Sequence, residues 1–279
     1  MPPRPLITLT TDFGTADGTV AAMIGVIKSI CPDAEVIGVN SGIPAHDVPR
    51  GAWALCQSAP FYPKDAIHLA VVDPGVGSSR RAVMATTDHG TFVGPDNGVL
   101  TWATRESSGL VWRALENPAY RIAPLGVTFD GRDLFAPVAA HLAAGVDPAM
   151  FGPEITNPVI LRWPQPQRGD DTIEGEVLIV DHFGNLISNV PLTMVADLCG
   201  ERAFQVILPA AHSAVPGRHR IATDPAPFAR SYEDIRGRLG AVINGAGLIE
   251  IACRQGSAAA QSGRGRGDRV VVRLQGAGK

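Results

Sequence analysis

Residues 6–32 read LITLTTDFGTADGTVAAMIGVIKSICP, and this stretch sets the fold class. Leu6 to Thr10 is a short β run, after which Val20, Met23, Ile24, Ile27 and Ile30 recur at helical spacing until Pro32 ends the pattern. A strand, a turn and an amphipathic helix follow one another. The alternation continues outward. Val36 to Val39 reads as a strand, and Asp47 is placed to cap a helix running through Trp53 and Leu55 toward Ser58. Ile67 to Val72 is a buried-type strand, and Ala82 to Thr87 with Thr91 to Val93 form a hairpin around Asp88, His89 and Gly90. After Gly131, the residues Leu134, Val138, His141 and Leu142 mark one helical face that stops at Gly145. This half predicts an α/β layered domain with a largely parallel sheet.

Beyond Pro153 the texture changes. Four prolines (Pro153, Pro158, Pro164, Pro166) and Arg168-Gly169 mark a linker. Short apolar or β-branched runs then recur between turn residues, at Ile173 to Val180, Leu186 to Val190, Phe204 to Leu208, Leu239 to Ile243, Leu248 to Ala252 and Val270 to Leu274. That pattern predicts a smaller β-barrel domain. The expected organisation is an α/β domain over residues 1–160, a linker over 161–171 and the barrel over 172–279. Gly263 to Gly267, reading GRGRG, is expected to be a flexible loop.

Composition excludes several function classes. The 279 residues are 45% hydrophobic and 18% charged, enough apolar material for cores without a disorder-type bias. Lys and Arg number 24 against 27 Asp and Glu, a net charge of -3 that lacks the basic footprint of a nucleic-acid binder. Apolar runs such as Ala66 to Val72 fall short of a membrane span. Met1 to Pro5 carries no apolar leader, and Cys31, Cys56, Cys199 and Cys253 lie too far apart for a CxxC pair. Buried thiols in a reducing cytoplasm are the expectation.

Five stretches carry chemistry-bearing side chains. Asp12, in Thr11-Asp12-Phe13-Gly14, stands after a strand and before a helix, where a carboxylate serves either as an acceptor for sugar hydroxyls or as a helix cap. In residues 71–81, VVDPGVGSSRR, a buried strand delivers Asp73 to its end, and the Pro-Gly turn folds Arg80 back beside it. That pair is either a base held ionised by a cation or a structural ion pair. Residues 94–98, GPDNG, read as a turn. Asp130, Arg132 and Asp133 crowd the start of a helix in 127–137, VTFDGRDLFAP, where at least one acidic group complements the dipole. Residues 181–185, DHFGN, sit between two strands as a hairpin turn. Metal, nucleoside-triphosphate and serine-hydrolase signatures do not occur.

Taken in order, TDFG, VVDPGVGSSRR, GPDNG, TFDGRDLFAP, DHFGN and the later GLIEIACRQGSAA (247–259) resemble the S-adenosylmethionine hydroxide adenosyltransferases over nearly the entire chain. The resemblance implies an N-terminal α/β domain, a C-terminal β-barrel, and a homotrimer with active sites between the N-domain of one subunit and the C-domain of its neighbour. It implies that water displaces methionine from the ribose C5′ of S-adenosyl-L-methionine (SAM), giving adenosine and L-methionine. SAM is then the substrate, and no metal, cofactor, nucleic acid or membrane is involved. Asp73 and Arg80 match the family's catalytic Asp and Arg. Asp12 matches its ribose-diol carboxylate, and Asp181, Phe183 and Asn185 match residues that hold the methionine amino group and the adenine. Thr128, Phe129, Gly131, Asn244, Gly245 and Gln255 complete the substrate-binding set that the resemblance implies.

Three positions depart from the family pattern. Asp130 stands where the family has a catalytic His, and is expected to support water activation in its place. Asn244-Gly245 replaces an Asn-Ser pair near the methionine carboxylate, so one hydroxyl is absent, and Ser41 stands where a His is common. The related halogenases, the nearest competing reading, carry an extra loop and lack the Asp-Arg pair. Here Ser79 to Asp96 leaves no room for an insertion, and Asp73 would repel a halide. A second alternative is a SAM- or adenosine-binding protein that no longer turns over.

Overall fold

The computed structural model describes residues 4–123, 126–200, 202–209 and 224–275. The chain divides into two compact units, Met1–Arg162 and Trp163–Lys279.

The first unit is a mixed sheet between two helical layers. Its elements are β1 (Leu6–Thr11), α1 (Thr19–Ile30), β2 (Glu35–Asn40), α2 (Val48–Ser58), β3 (Ile67–Val71), β4 (Ala82–Thr87), β5 (Gly90–Pro95), α3 (Thr101–Thr104), β6 (Val111–Ala114), α4 (Ala136–Ala143) and β7 (Glu154–Ile155). The strand order is β2-β1-β3-β5-β4-β6-β7. The four strands β2, β1, β3 and β5 are parallel, whereas β4, β6 and β7 add on antiparallel, starting from the β4/β5 hairpin. Along β3 and the residue that follows it, alternate side chains feed opposite cores: Leu69 and Val71 pack with Met23, Ile27 and Phe135, while Ala70 and Val72 pack with Leu55, Phe92 and Leu100. A strand covered on both faces reads as a continuous apolar run, as this one does.

The helix after Gly131 opens irregularly. Gly131–Phe135 forms a π-helical turn before α4 begins. Pro137 has no N–H to donate to the carbonyl of Asp133 four residues earlier, and that carbonyl accepts instead from the Ile122 N–H at 2.9 Å. The substitution of partners ties the 121–122 segment to the helix start.

The second unit contains β8 (Gln167–Arg168), β9 (Thr172–Val180), β10 (Leu186–Pro191), α5 (Leu192–Cys199), β11 (Phe204–Leu208), β12 (Asp224–Pro227), β13 (Gly240–Ile243), β14 (Leu248–Ala252), α6 (Ala258–Ser262) and β15 (Arg269–Leu274). Its sheet runs β12-β11-β15-β9-β10-β14-β13, with β8 paired to β9, and every ladder is antiparallel. The two ends approach through a bridge between Phe228 and Ala241, where Ala229 N–H donates to the Ala241 carbonyl at 2.8 Å, so the sheet is nearly closed into a barrel. Inward-facing Val206, Leu208, Ile249, Ile251, Val270 and Val272 fill it.

All four cysteines are free. Among the described residues no helix is long and apolar enough to cross a membrane.

Candidate active site

Strands β1 and β3 lie side by side in register, Thr11 opposite Val71, so Asp12 and Asp73 both emerge beyond carboxyl ends of the parallel strands. Ligands of open α/β sheets bind at such ends. From Asp73 the chain turns sharply. Val76 N–H donates to the Asp73 carbonyl at 3.3 Å, and the Ser78 hydroxyl bridges the turn by donating to the Gly75 carbonyl and accepting from Arg80 N–H. A Cβ on Gly75 would stand 3.2 Å from Arg80 Cγ, so the glycine makes room for the returning side chain. The Asn97 amide donates to the Val72 carbonyl at 2.8 Å and fixes the strand end from the GPDNG turn.

The result is a buried guanidinium fork. Arg80 Nε lies 3.0 and 2.9 Å from the two Asp73 oxygens, and Nη2 lies 2.5 Å from Asp73 Oδ2. The same Nη2 donates to Asp130 Oδ2 at 2.5 Å, so one cation bridges two carboxylates. The side chains of Asp73 and Arg80 are 5% and 12% exposed, and the Phe135 ring lies 5.3 Å from the guanidinium carbon. Burial works against the Arg80 charge, but hydrogen bonding and attraction from Asp73 and then Asp130 outweigh it and raise its pKa further. The group is a permanent cation.

Asp130 reaches this place because its segment packs on both neighbouring turns. Gly77 is left-handed (φ 77°), and a Cβ there would stand 2.9 Å from the Val127 carbonyl oxygen. Phe129 meets Phe13 edge to face at 5.8 Å, and buried Gly131 fits between those rings and Met23. Thr128 is exposed beside them. Gly77, Ser78, Arg80, Arg121, Val127 and Asp130 line a cleft of about 410 Å³. Arg132 and Asp133, in contrast, pair with each other at 2.7 Å, with Asp133 buried. That is the structural pair of the helix start. Arg81 is likewise structural, held by Asp96 and Asn157.

Asp12 is not the cap of α1. Gly18 precedes α1 with no side-chain cap, and Asp12 Oδ2 instead accepts from the His46 N–H at 2.8 Å. Ser41 enters through its backbone, its carbonyl accepting from Gly14 N–H.

In the second unit, Asp181 Oδ1 accepts from the Phe183 and Asn185 N–H groups, and Asn185 Nδ2 donates to Asp181 Oδ2 at 2.9 Å. The left-handed Gly184 is crossed by Ser257 of the α6 start, which leaves no space for a side chain. Phe183 is 73% exposed. It lines a cleft of about 390 Å³ with Asn185, Tyr232, Arg254 and Gln255, a combination of aromatic faces and amides suited to a heteroaromatic base. Asn244 Oδ1 accepts from Ala246 and Leu248 N–H and closes the β13/β14 turn, while Gly245 is surrounded by open space.

Three residues escaped the sequence reading. Arg121 carries no motif signal. Tyr232 donates its hydroxyl to Glu250 Oε1 at 2.7 Å, and Glu250 is only 3% exposed. Burial raises the Glu250 pKa, against the Tyr232 hydrogen bond, with the Asp181 charge adding to the rise and the Asn244 bond opposing it. Tyr232 is pushed up to about 12 by desolvation, then by its bond to and the charge of Glu250. Asp181 and Asn244 are thus joined electrostatically through a carboxylate that the sequence placed inside the apolar run LIEIA. A charge in such a run was the available signal.

The architecture and the cleft define a protein of two compact units, an α/β unit with a carboxylate-guanidinium cluster and a barrel-like β unit. Profiles described as the SAM hydroxide adenosyltransferase N-terminal domain and C-terminal domain match residues 7–152 and 175–271, and the chain belongs to that family. It is 41% identical to the (R)-S-adenosyl-L-methionine hydrolase of Salinispora arenicola over 93% of this chain and 94% of that one. The protein of the same name from Thermus thermophilus is 36% identical, over 91% and 94%. A fluorinase of an Actinoplanes species is 27% identical over 68% and 73%. The crystal structure of an uncharacterized conserved protein from Thermotoga maritima superimposes with a TM-score of 0.84 at 30% identity, covering 96% and 99%.

Proposed function

We propose that this protein hydrolyses SAM to adenosine and L-methionine by attack of water at the ribose C5′. The observation that carries the reading is the Arg80 guanidinium, which lines a cleft together with Asp130 and bridges that carboxylate to Asp73 behind it. The C5′–S bond breaks with its electron pair going to sulfur, which leaves as a neutral thioether, so no general acid is required. A water oxygen forms the new C5′–O bond and loses one proton. Asp73 orients that water and takes the proton, Arg80 favours the developing hydroxide, and Asp130 supports the pair. Asp12 receives the ribose hydroxyls beside Thr128, Phe129 and Gly131. Phe183, Asn185 and Gln255 receive the adenine, Asp181 the ammonium group, and Asn244 with Gly245 the carboxylate. The chemistry needs no cofactor. The reading also carries a homotrimer and a cytoplasmic location, tested by mass in solution and by cell fractionation.

Incubation with SAM followed by chromatography decides the matter. Adenosine and methionine in equal yield are expected, unchanged by added chloride. Saturable binding without adenosine identifies a non-catalytic binder, and a 5′-chlorinated adenosine identifies a halogenase.

Gly245 offers a second test, because its backbone lies outside the left-handed region and no atom crowds its Cβ direction. Gly245→Ser is expected to fold with stability within about 0.5 kcal/mol of the parent. By adding one donor to a carboxylate it should lower KM for SAM by about 3- to 10-fold at similar kcat. An unaltered KM means that the carboxylate lies elsewhere or is already satisfied by backbone N–H groups.

A further inference from the structure

Asp130 is held from two sides. Its Oδ2 accepts from Arg80, and its Oδ1 faces Arg121 Nη2 at 4.0 Å. The Ile122-to-Asp133 hydrogen bond sets the 121–122 segment against the helix that Asp130 precedes, and Tyr120 anchors it by packing on Phe151 and His141. Arg121 and Asp130 both line the cleft that contains Arg80. The charges are instructive. Asp73, Asp130 and Arg80 together carry one net negative charge, which Arg121 cancels. Among the other groups near Asp130, Arg132 and Asp133 neutralise each other, Arg81 is engaged by Asp96, and Glu116 lines the same cleft.

We propose that Arg121 is a positioning residue of the hydrolytic site, a second guanidinium that balances Asp130 at the oxygen Arg80 does not bond and leaves the fork of Arg80 to Asp73. The inference rests on the hydrolase reading. Without Arg121, Asp130 competes more strongly for Arg80, and the cluster, one charge more negative, holds a proton to higher pH.

Arg121→Gln is expected to move the acid limb of the pH-rate profile for adenosine release upward by about half to one pH unit, with KM for SAM altered less than twofold. Arg121→Lys should restore most of the original profile. In an Asp130→Asn background, where no competition for Arg80 remains and only the direct effect of the lost charge is left, Arg121→Gln should move the limb by clearly less than in the parent. No displacement in the parent background, or the same displacement in both, overturns the proposal. A protein that releases no adenosine defeats the hydrolase reading instead, and the coupling is then read without turnover. The side-chain carboxyl carbon resonance that disappears in Asp130→Asn should titrate at higher pH in Arg121→Gln, and an unmoved titration overturns the inference.

Discussion

Asp73→Asn is expected to lower kcat for adenosine release by about 10²- to 10³-fold while KM for SAM changes little, because the substitution keeps the shape and one acceptor for Arg80 but removes the base and the charge. The geometry makes Asp73 hard to replace. Its two oxygens take three hydrogen bonds from one guanidinium, and the side chain is 5% exposed. Asp130 stays bonded to Arg80 in the variant, which should therefore fold and melt like the parent. Steady-state kinetics with a parallel melting curve check both halves. Activity within threefold of the parent would make the Asp73-Arg80 pair structural, and the catalytic reading of this turn would fall.

Acid should destabilise the protein by about 3 kcal/mol through one residue, His68. Its ring lies fully buried in β3, stacked on Phe92 at 4.7 Å and met edge-on by Tyr62. Its Nδ1 meets the Thr8 hydroxyl at 2.9 Å, and Nε2 has no hydrogen-bond partner among the described residues. Burial pushes its pKa down from 6.5 to about 4. The unfolded imidazole therefore takes a proton at higher pH than the folded one. The stabilisation is complete above about pH 6.5, is lost as pH falls toward 4, and levels off below. Urea titrations of the parent and His68→Asn, which keeps a polar atom for Thr8 but cannot become a cation, measure the effect. The stability gap between them should narrow or invert by about 3 kcal/mol from pH 7 to pH 4. A constant gap over that range would rule out His68 as the acid-labile group.

How far the site was legible follows from the range of each interaction. The Asp73-Arg80 pair spans seven residues, and its Pro-Gly turn is local chemistry, so the letters VVDPGVGSSRR announced it. The Arg80-Asp130 bridge spans 50 residues and no local pattern encodes it; likeness to a family whose motifs recur in order placed Asp130 at the site, and the structure alone shows the bond. Arg121 and the Tyr232-Glu250 pair belong to no turn or period, and their partners are chosen by packing. The roles of Asp12 and Asp133 were ambiguous in the sequence because a carboxylate near a helix start satisfies a cap, a salt bridge or a ligand equally well. In the structure Asp133 pairs with Arg132, and Asp12 accepts from the His46 N–H while α1 has no side-chain cap.

By itself the sequence determined the period of each element, the turn residues that punctuate them, the change from α/β to all-β texture and the six ordered motifs, because these depend on neighbours a few positions apart. Tertiary structure alone decided that the sheet is mixed, that Pro137 diverts the Asp133 carbonyl to Ile122, and that one guanidinium serves two carboxylates. Those outcomes are set by which distant groups are desolvated together once the chain closes, and a buried charge or carbonyl takes whatever partner the packing presents.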